Sequence, residues 1–143
     1  MISSPRPVEP PVGEASAPFW EATRAKRLVV QWCTACERPN FYPREVCPVC
    51  LGSSLEWRDS QGRGRIDAFT VEHRPQPSFA DEPYVIALVD LADGVRMMTN
   101  IVGCRPEEVR VGMEVVVSWE PLTDGRNLAV FGPAPETRAG GAR

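Results

Sequence analysis

Four of the five cysteines in this 143-residue chain fall into two CxxC pairs, Cys33-Thr34-Ala35-Cys36 and Cys47-Pro48-Val49-Cys50, with ten residues between them. This is the spacing of two facing metal knuckles. Four thiolates gathered this way suit one tetrahedral zinc ion, and four protein ligands leave no coordination position for a substrate. The metal so implied is structural. Iron in a rubredoxin-like site is the other metal reading, because Gly52 follows the second pair closely; the short intervening loop favours a zinc ribbon. Disulfide pairing would need an oxidising compartment, and the N-terminus lacks the positive-then-apolar pattern of a secretory signal.

No second constellation of reactive groups stands beside the cysteines. The single histidine, His73, has no Ser/Asp or Cys partner motif and reads as a surface or core residue. Cys104 lies far from the knuckles and reads as a small apolar residue. The carboxylate pairs Asp81-Glu82 and Glu107-Glu108 are adjacent in sequence, so their side chains diverge, and both fall in loops where solvated charge is the default. Gly62-Arg63-Gly64-Arg65 would place two guanidinium groups near a phosphorylated ligand, although a turn feeding a strand accounts for it equally well. Catalysis by this chain alone is not expected.

Charge narrows the partners. A formal net charge of -3 supplies no basic field for phosphates, which disfavours nucleic acid. No stretch reaches the roughly 20 apolar residues of a membrane span, and a cytoplasmic protein is expected. A hydrophobic content of 43% is enough for a core, in one domain or in a small metal-held module joined to a second one.

Positioning the knuckles is the task of short elements. Residues 1–15, with Pro5, Pro7, Pro10, Pro11 and Gly13, read as a mobile arm. Ser16 then offers a cap and Pro18 a first-turn proline to a helix of about two turns that carries Phe19, Trp20 and Thr23 on one side. Two adjacent large aromatics on so short a helix need a docking surface, either the chain's own ribbon or a second protein. Residues 28–32, 40–43 and 55–58 read as the three strands of the ribbon, completing a module over 16–60. Five further strands, at 65–72, 84–91, 95–102, 113–120 and 128–131, with a helical interruption between Gly103 and Gly112, fit an OB-type barrel over 61–132. The Asp93-Gly94 turn makes a hairpin of the second and third. The loop 74–83 joins barrel strands where OB folds bind ligands, making Phe79 a candidate contact. Residues 133–143 read as a loose tail.

The order of these parts resembles a known family. Pro18-Phe19-Trp20-Glu21, the four cysteines, Gly62 and Gly64, Ala68-Phe69-Thr70-Val71, Pro83-Tyr84-Val85, Thr99-Asn100-Ile101-Val102-Gly103 and Val111-Gly112-Met113 are together similar to the acyl-CoA-associated zinc-ribbon OB-fold proteins, long a family of unknown function. The resemblance spans about residues 16–131. It implies a mainly β chain: a short N-terminal helix, a rubredoxin-like zinc ribbon and a five-stranded OB-fold barrel. It assigns Zn2+ to Cys33, Cys36, Cys47 and Cys50. It also implies assembly with thiolase-like or lipid-transfer-type enzymes, aldolases or MaoC-like hydratases, in which the partner does the chemistry and the family member helps shape the acyl-CoA site. Some relatives serve steroid side-chain breakdown.

Expected from this reading is a non-catalytic accessory subunit of an acyl-CoA-processing enzyme, with Phe19, Trp20 and Phe79 at the partner interface. The alternative is a nucleic-acid-binding zinc-ribbon/OB module in which Phe69, Tyr84 or Trp119 would stack bases.

Overall fold

The computed structural model describes residues 2–5 and 9–135. Helix α1, Ala17–Arg24, is the first regular element, with Pro18 in its first turn. The Ser16 hydroxyl does not cap it. That oxygen turns back to Gly13, donating to its carbonyl at 3.2 Å and accepting its N–H at 3.0 Å.

Three short strands follow: β1, Val29–Cys33, β2, Arg38–Asn40, and β3, Leu55–Asp59, in the antiparallel order β2-β1-β3. The expected return strand at 40–43 is thus displaced, ending at Asn40. Phe41 and Tyr42 leave the ladder because each has a stronger partner elsewhere. Phe41 packs edge-on against Phe19 at 5.7 Å, and the Tyr42 hydroxyl accepts the Met98 N–H at 3.1 Å.

The barrel is built from β4, Arg63–Glu72, β5, Tyr84–Leu91, β6, Arg96–Ile101, β7, Glu114–Pro121, and β8, Asn127–Pro133, closed in the order β4-β5-β6-β8-β7. A turn of 3-10 helix, Pro106–Glu108, interrupts β6 and β7. This is the OB-type barrel with its helical insertion after the third strand. Phe131, Ile66, Ile101, Val85, Val89 and Val115 fill its interior, each essentially without exposure. Burial of such a side chain contributes roughly 1.5–3 kcal/mol. Gly64 is required where β4 crosses β5, since a Cβ there would lie 2.3 Å from the Asp90 carbonyl oxygen. Closure is uneven. β6 and β8 pair in parallel only at Ile101 and Phe131, so the rest of β6 diverges from β8 and leaves a groove between them.

Helix α1 joins the two halves of the molecule. Thr23, fully buried, donates its hydroxyl to the Trp20 carbonyl at 2.6 Å and accepts the Asn127 N–H at 3.2 Å. Asn127 returns the bond, its side-chain amide reaching the Thr23 carbonyl at 2.8 Å. Arg126, 5% exposed, lies over the Trp20 ring at 4.8 Å and pairs with Asp124 at 2.7 Å. The helix therefore packs on the first residues of β8 as well as on the ribbon.

Residues 1–15, expected as a mobile arm, have anchors the proline count conceals. Ile2 is 4% exposed and bonds through its backbone to Gly103 and Cys104, and Glu9 meets the Thr123 hydroxyl at 2.7 Å. Of the expected tail, Pro133 ends β8 and Ala134 bonds the Glu114 carbonyl; residues 136–143 lie outside the described residues.

Thr23→Val keeps the shape of the side chain but removes the acceptor for the buried Asn127 N–H. Loss of about 1–3 kcal/mol of unfolding free energy in urea is expected, with zinc content unchanged.

Candidate metal centre and apolar groove

The two knuckles face each other across the ribbon. Cys33 and Cys50 sulfurs are 3.7 Å apart, Cys36 and Cys47 sulfurs 3.6 Å, and all four lie within 4.8 Å of one another. A tetrahedron with zinc–sulfur bonds of about 2.3 Å has edges of about 3.8 Å. The donor set fits a structural zinc ion, which Cys33, Cys36, Cys47 and Cys50 would hold. The fifth cysteine stands apart: Cys104 is buried three residues past β6, and desolvation pushes its thiol up, away from reactivity.

Backbone dipoles prepare two of the sulfurs for the metal. N–H groups of Cys36 and Ala35 lower the Cys33 thiol, and those of Cys50 and Val49 bring Cys47 down to about 6. Cys36 behaves oppositely, pushed up to about 12 by burial and by its neighbouring thiols. Cys50 accepts the Gly52 N–H, which lowers it, yet Cys33 and burial together carry it above its ordinary value. All four sulfurs would hold zinc as thiolates, so metal binding would be coupled to loss of whatever thiol protons remain.

A buried amide network braces the knuckles from behind. Gln31 on β1 accepts from the Asn40 side chain at 2.9 Å and from the Arg44 N–H at 2.8 Å, and donates to the Arg44 carbonyl at 2.8 Å. This fixes the loop that leads from β2 to the second knuckle. Pro39 on β2 lies against Gly94 of the β5–β6 turn, and Ser60 binds Asp93 of the same turn through its hydroxyl. The ribbon is thereby fastened to the barrel hairpin.

Between ribbon, helix and barrel opens an apolar groove of about 570 Å3. Phe19, Trp20, Phe41 and Tyr42 form one wall; Phe79, Tyr84, Ile86, Met97, Met98 and Leu128 supply the rest, with Thr99 and Asn100 among its few polar groups. It lies on the barrel face where OB folds take their ligands. None of its described lining residues is a carboxylate, histidine, cysteine, lysine or arginine. The described lining thus offers no carboxylate or imidazole for proton transfer and no cationic side chain for a phosphate.

The residues singled out as interface candidates converge here. Phe19, 6% exposed, packs edge-on against Trp20 at 5.2 Å, while Phe79 is half-buried with its ring 5.3 Å from Tyr84. All three line the groove. Sequence reasoning missed Ile86, Met97 and Leu128; each is an ordinary apolar strand residue, and only the divergence of β6 from β8 exposes them to a common space. Of the residues considered for base stacking, Tyr84 is 9% exposed and Phe69 and Trp119 are packed against the core. His73 is exposed at the end of β4.

Comparison with known proteins agrees with both halves. Residues 20–56 match the model of the ChsH2 rubredoxin-like zinc ribbon domain, and residues 57–120 that of the ChsH2 C-terminal OB-fold domain. A probable enoyl-CoA hydratase alpha subunit of Thermomonospora curvata is 36% identical over 125 residues, 87% of this chain. This chain spans only 39% of that relative's length. A DUF35 domain-containing scaffold protein of Methanothermobacter thermautotrophicus is 38% identical over 94 residues, covering 64% of this chain and 71% of the relative. Among solved structures, the Ltp2-ChsH2(DUF35) aldolase matches with a TM-score of 0.78 and 36% identity, over 87% of this chain and 98% of that one.

Two outcomes follow for the metal. Cys47→Ala should abolish stoichiometric zinc in elemental analysis, because three thiolates leave the tetrahedron open. Competition with a chromophoric chelator should show zinc affinity rising with pH near neutrality, because the cysteines bind zinc as thiolates and their remaining thiol protons must leave. A flat pH profile would contradict thiolate ligation.

Proposed function

Because this chain belongs to the DUF35 family of rubredoxin-like zinc-ribbon and OB-fold proteins, we propose that it is a non-catalytic subunit of an enzyme acting on acyl-CoA thioesters. The observation that carries this reading is the groove: a preformed apolar space with aromatic walls and, among its described lining residues, no acid–base or nucleophilic side chain beyond hydroxyls and phenols. Such a site holds hydrocarbon; it does not transform it. Bond-making belongs to the thiolase-like, aldolase or hydratase subunit that receives the thioester.

Zinc fits the same division of labour. Bound by Cys33, Cys36, Cys47 and Cys50, it supplies rigidity, and with four protein ligands it has no open position at which to polarise a carbonyl or activate water. The chain's own residues do the rest. Phe19 and Trp20 on α1, Phe41 and Tyr42 after β2, and Phe79 and Tyr84 beside β5 form opposed aromatic walls that exclude water from an acyl group. A cavity of about 570 Å3 is large enough for a bulky or polycyclic acyl body, and the steroid substrates implied by the resemblance are of that kind. Thr99 and Asn100 are committed to the fold, their side chains bonding the Ala129 and Val85 carbonyls at 3.1 and 3.0 Å, so the groove floor stays apolar. Support for the assembly comes from the matched aldolase, which is named as Ltp2 paired with ChsH2(DUF35), and from the scaffold and subunit names of the relatives.

The test is reconstitution. Purified chain alone should show no turnover of an acyl-CoA, whereas adding the partner enzyme should give activity that depends on both. Trp20→Ala in the complex should raise KM for the acyl-CoA about tenfold with kcat nearly unchanged, the signature of lost uniform binding. Turnover of a thioester by the isolated chain at an enzymatic rate would overturn the proposal.

A further inference from the structure

Large apolar side chains are exposed at seven described positions, and three of these, Val46, Val49 and Leu51, flank the second knuckle. Leu51 combines 74% exposure with a φ of +61°. The left-handed region costs a branched L-residue roughly 1 kcal/mol relative to glycine, and an exposed side chain recovers little of that by packing on its own chain. Knuckle geometry demands the conformation, because Glu37, the residue after Cys36 in the first knuckle, has a φ of +55°. It does not demand leucine. Glycine would satisfy the turn at lower cost, and the first knuckle places a solvated carboxylate at the matching position.

We propose that the second knuckle is an anchor for the partner enzyme, with Leu51, flanked by Val46 and Val49, entering an apolar pocket rimmed by basic groups on the subunit that holds the thioester. This rests on the accessory-subunit reading above and names the surface and the partner chemistry it requires. Two observations select the occupant. First, residues 42–51 run without a break from the groove to the knuckle, and Tyr42, at the groove, is 50% exposed. A subunit receiving a thioester whose acyl body lies in the groove covers that mouth, and the same segment leads it onto the knuckle. Second, four thiolates around one divalent cation make a net negative centre, Cys50 is exposed, and residues 46–52 carry no basic side chain to offset it. A second copy of this chain would set two such centres against each other. An anionic membrane surface is repelled for the same reason.

The test uses the full-length zinc-loaded chain and the purified Ltp2 subunit of the matched aldolase, with affinity measured by titration. Leu51→Gly is expected to keep zinc, to hold or raise Tm, and to weaken binding at least tenfold. Glu37→Gly relieves the same strain in the first knuckle and should leave binding unchanged. Wild-type affinity should fall as salt rises. A Leu51→Gly chain that binds like wild type would overturn the inference, whether or not its Tm changes. Self-association of the free chain that Leu51→Gly abolishes would also overturn it, by making the occupant a second copy. Failure of the wild-type chain to bind Ltp2 would instead remove the accessory-subunit reading, and this inference with it.

Discussion

Four sulfurs at the corners of one tetrahedron hold together a segment that apolar burial alone would not. The ribbon's strands are five, three and five residues long. Leu28, Val29 and Val30 are its main fully buried apolar side chains besides the cysteines. Zinc binding in such sites contributes roughly 10–16 kcal/mol, more than a cluster of this size supplies, so folding of the ribbon and capture of the metal are one event. The same ion that stabilises the segment is chemically silent, because a closed all-thiolate shell has no place for substrate.

What the braced ribbon does becomes clear at the barrel. An OB fold ordinarily leaves one face of its second and third strands open to ligand. Here Phe41 and Tyr42 come from the ribbon and Phe19 and Trp20 from the helix to wall that face, turning an open platform into an apolar groove. Tyr42 also closes the backbone account at Met98, an outward-facing N–H of β6 that has no strand partner. The Thr23–Asn127 pair and Arg126 keep the helix seated on β8 from the other side. A platform of this kind disfavours nucleic acid: Phe19 and Tyr84 are buried, and its described lining has no cation.

Much of this was legible in the residues. CxxC spacing is short-range and dictated by one ion's geometry, so the cysteines announce their site without reference to the remaining chain. Barrel strands are rich in β-branched residues and bounded by Gly, Pro or Asp, so they too read directly, as does the Asp93-Gly94 hairpin. Long-range effects did not read. Phe41-Tyr42 has the composition of a strand and leaves the ladder only because Phe19 and Met98 lie nearby in space. Ile2 sits in a segment that looks disordered by composition, yet a single buried isoleucine and two backbone bonds fix it to the β6 end. The groove was legible only in part: Phe19 and Trp20 stood out as aromatics needing cover and Phe79 as a candidate contact, while the wall formed by Ile86, Met97 and Leu128 depends on where β6 parts from β8.

The central claim is that the metal braces the ribbon and, through it, one wall of the groove, while the barrel stands on its own core. Amide hydrogen exchange before and after zinc removal by a chelator tests this most directly. Loss of protection through β1–β3 and at the Met98 N–H, with Val85 and Val89 in the barrel still protected, is the predicted result. Uniform loss across ribbon and barrel, or a ribbon that stays protected without zinc, would contradict it.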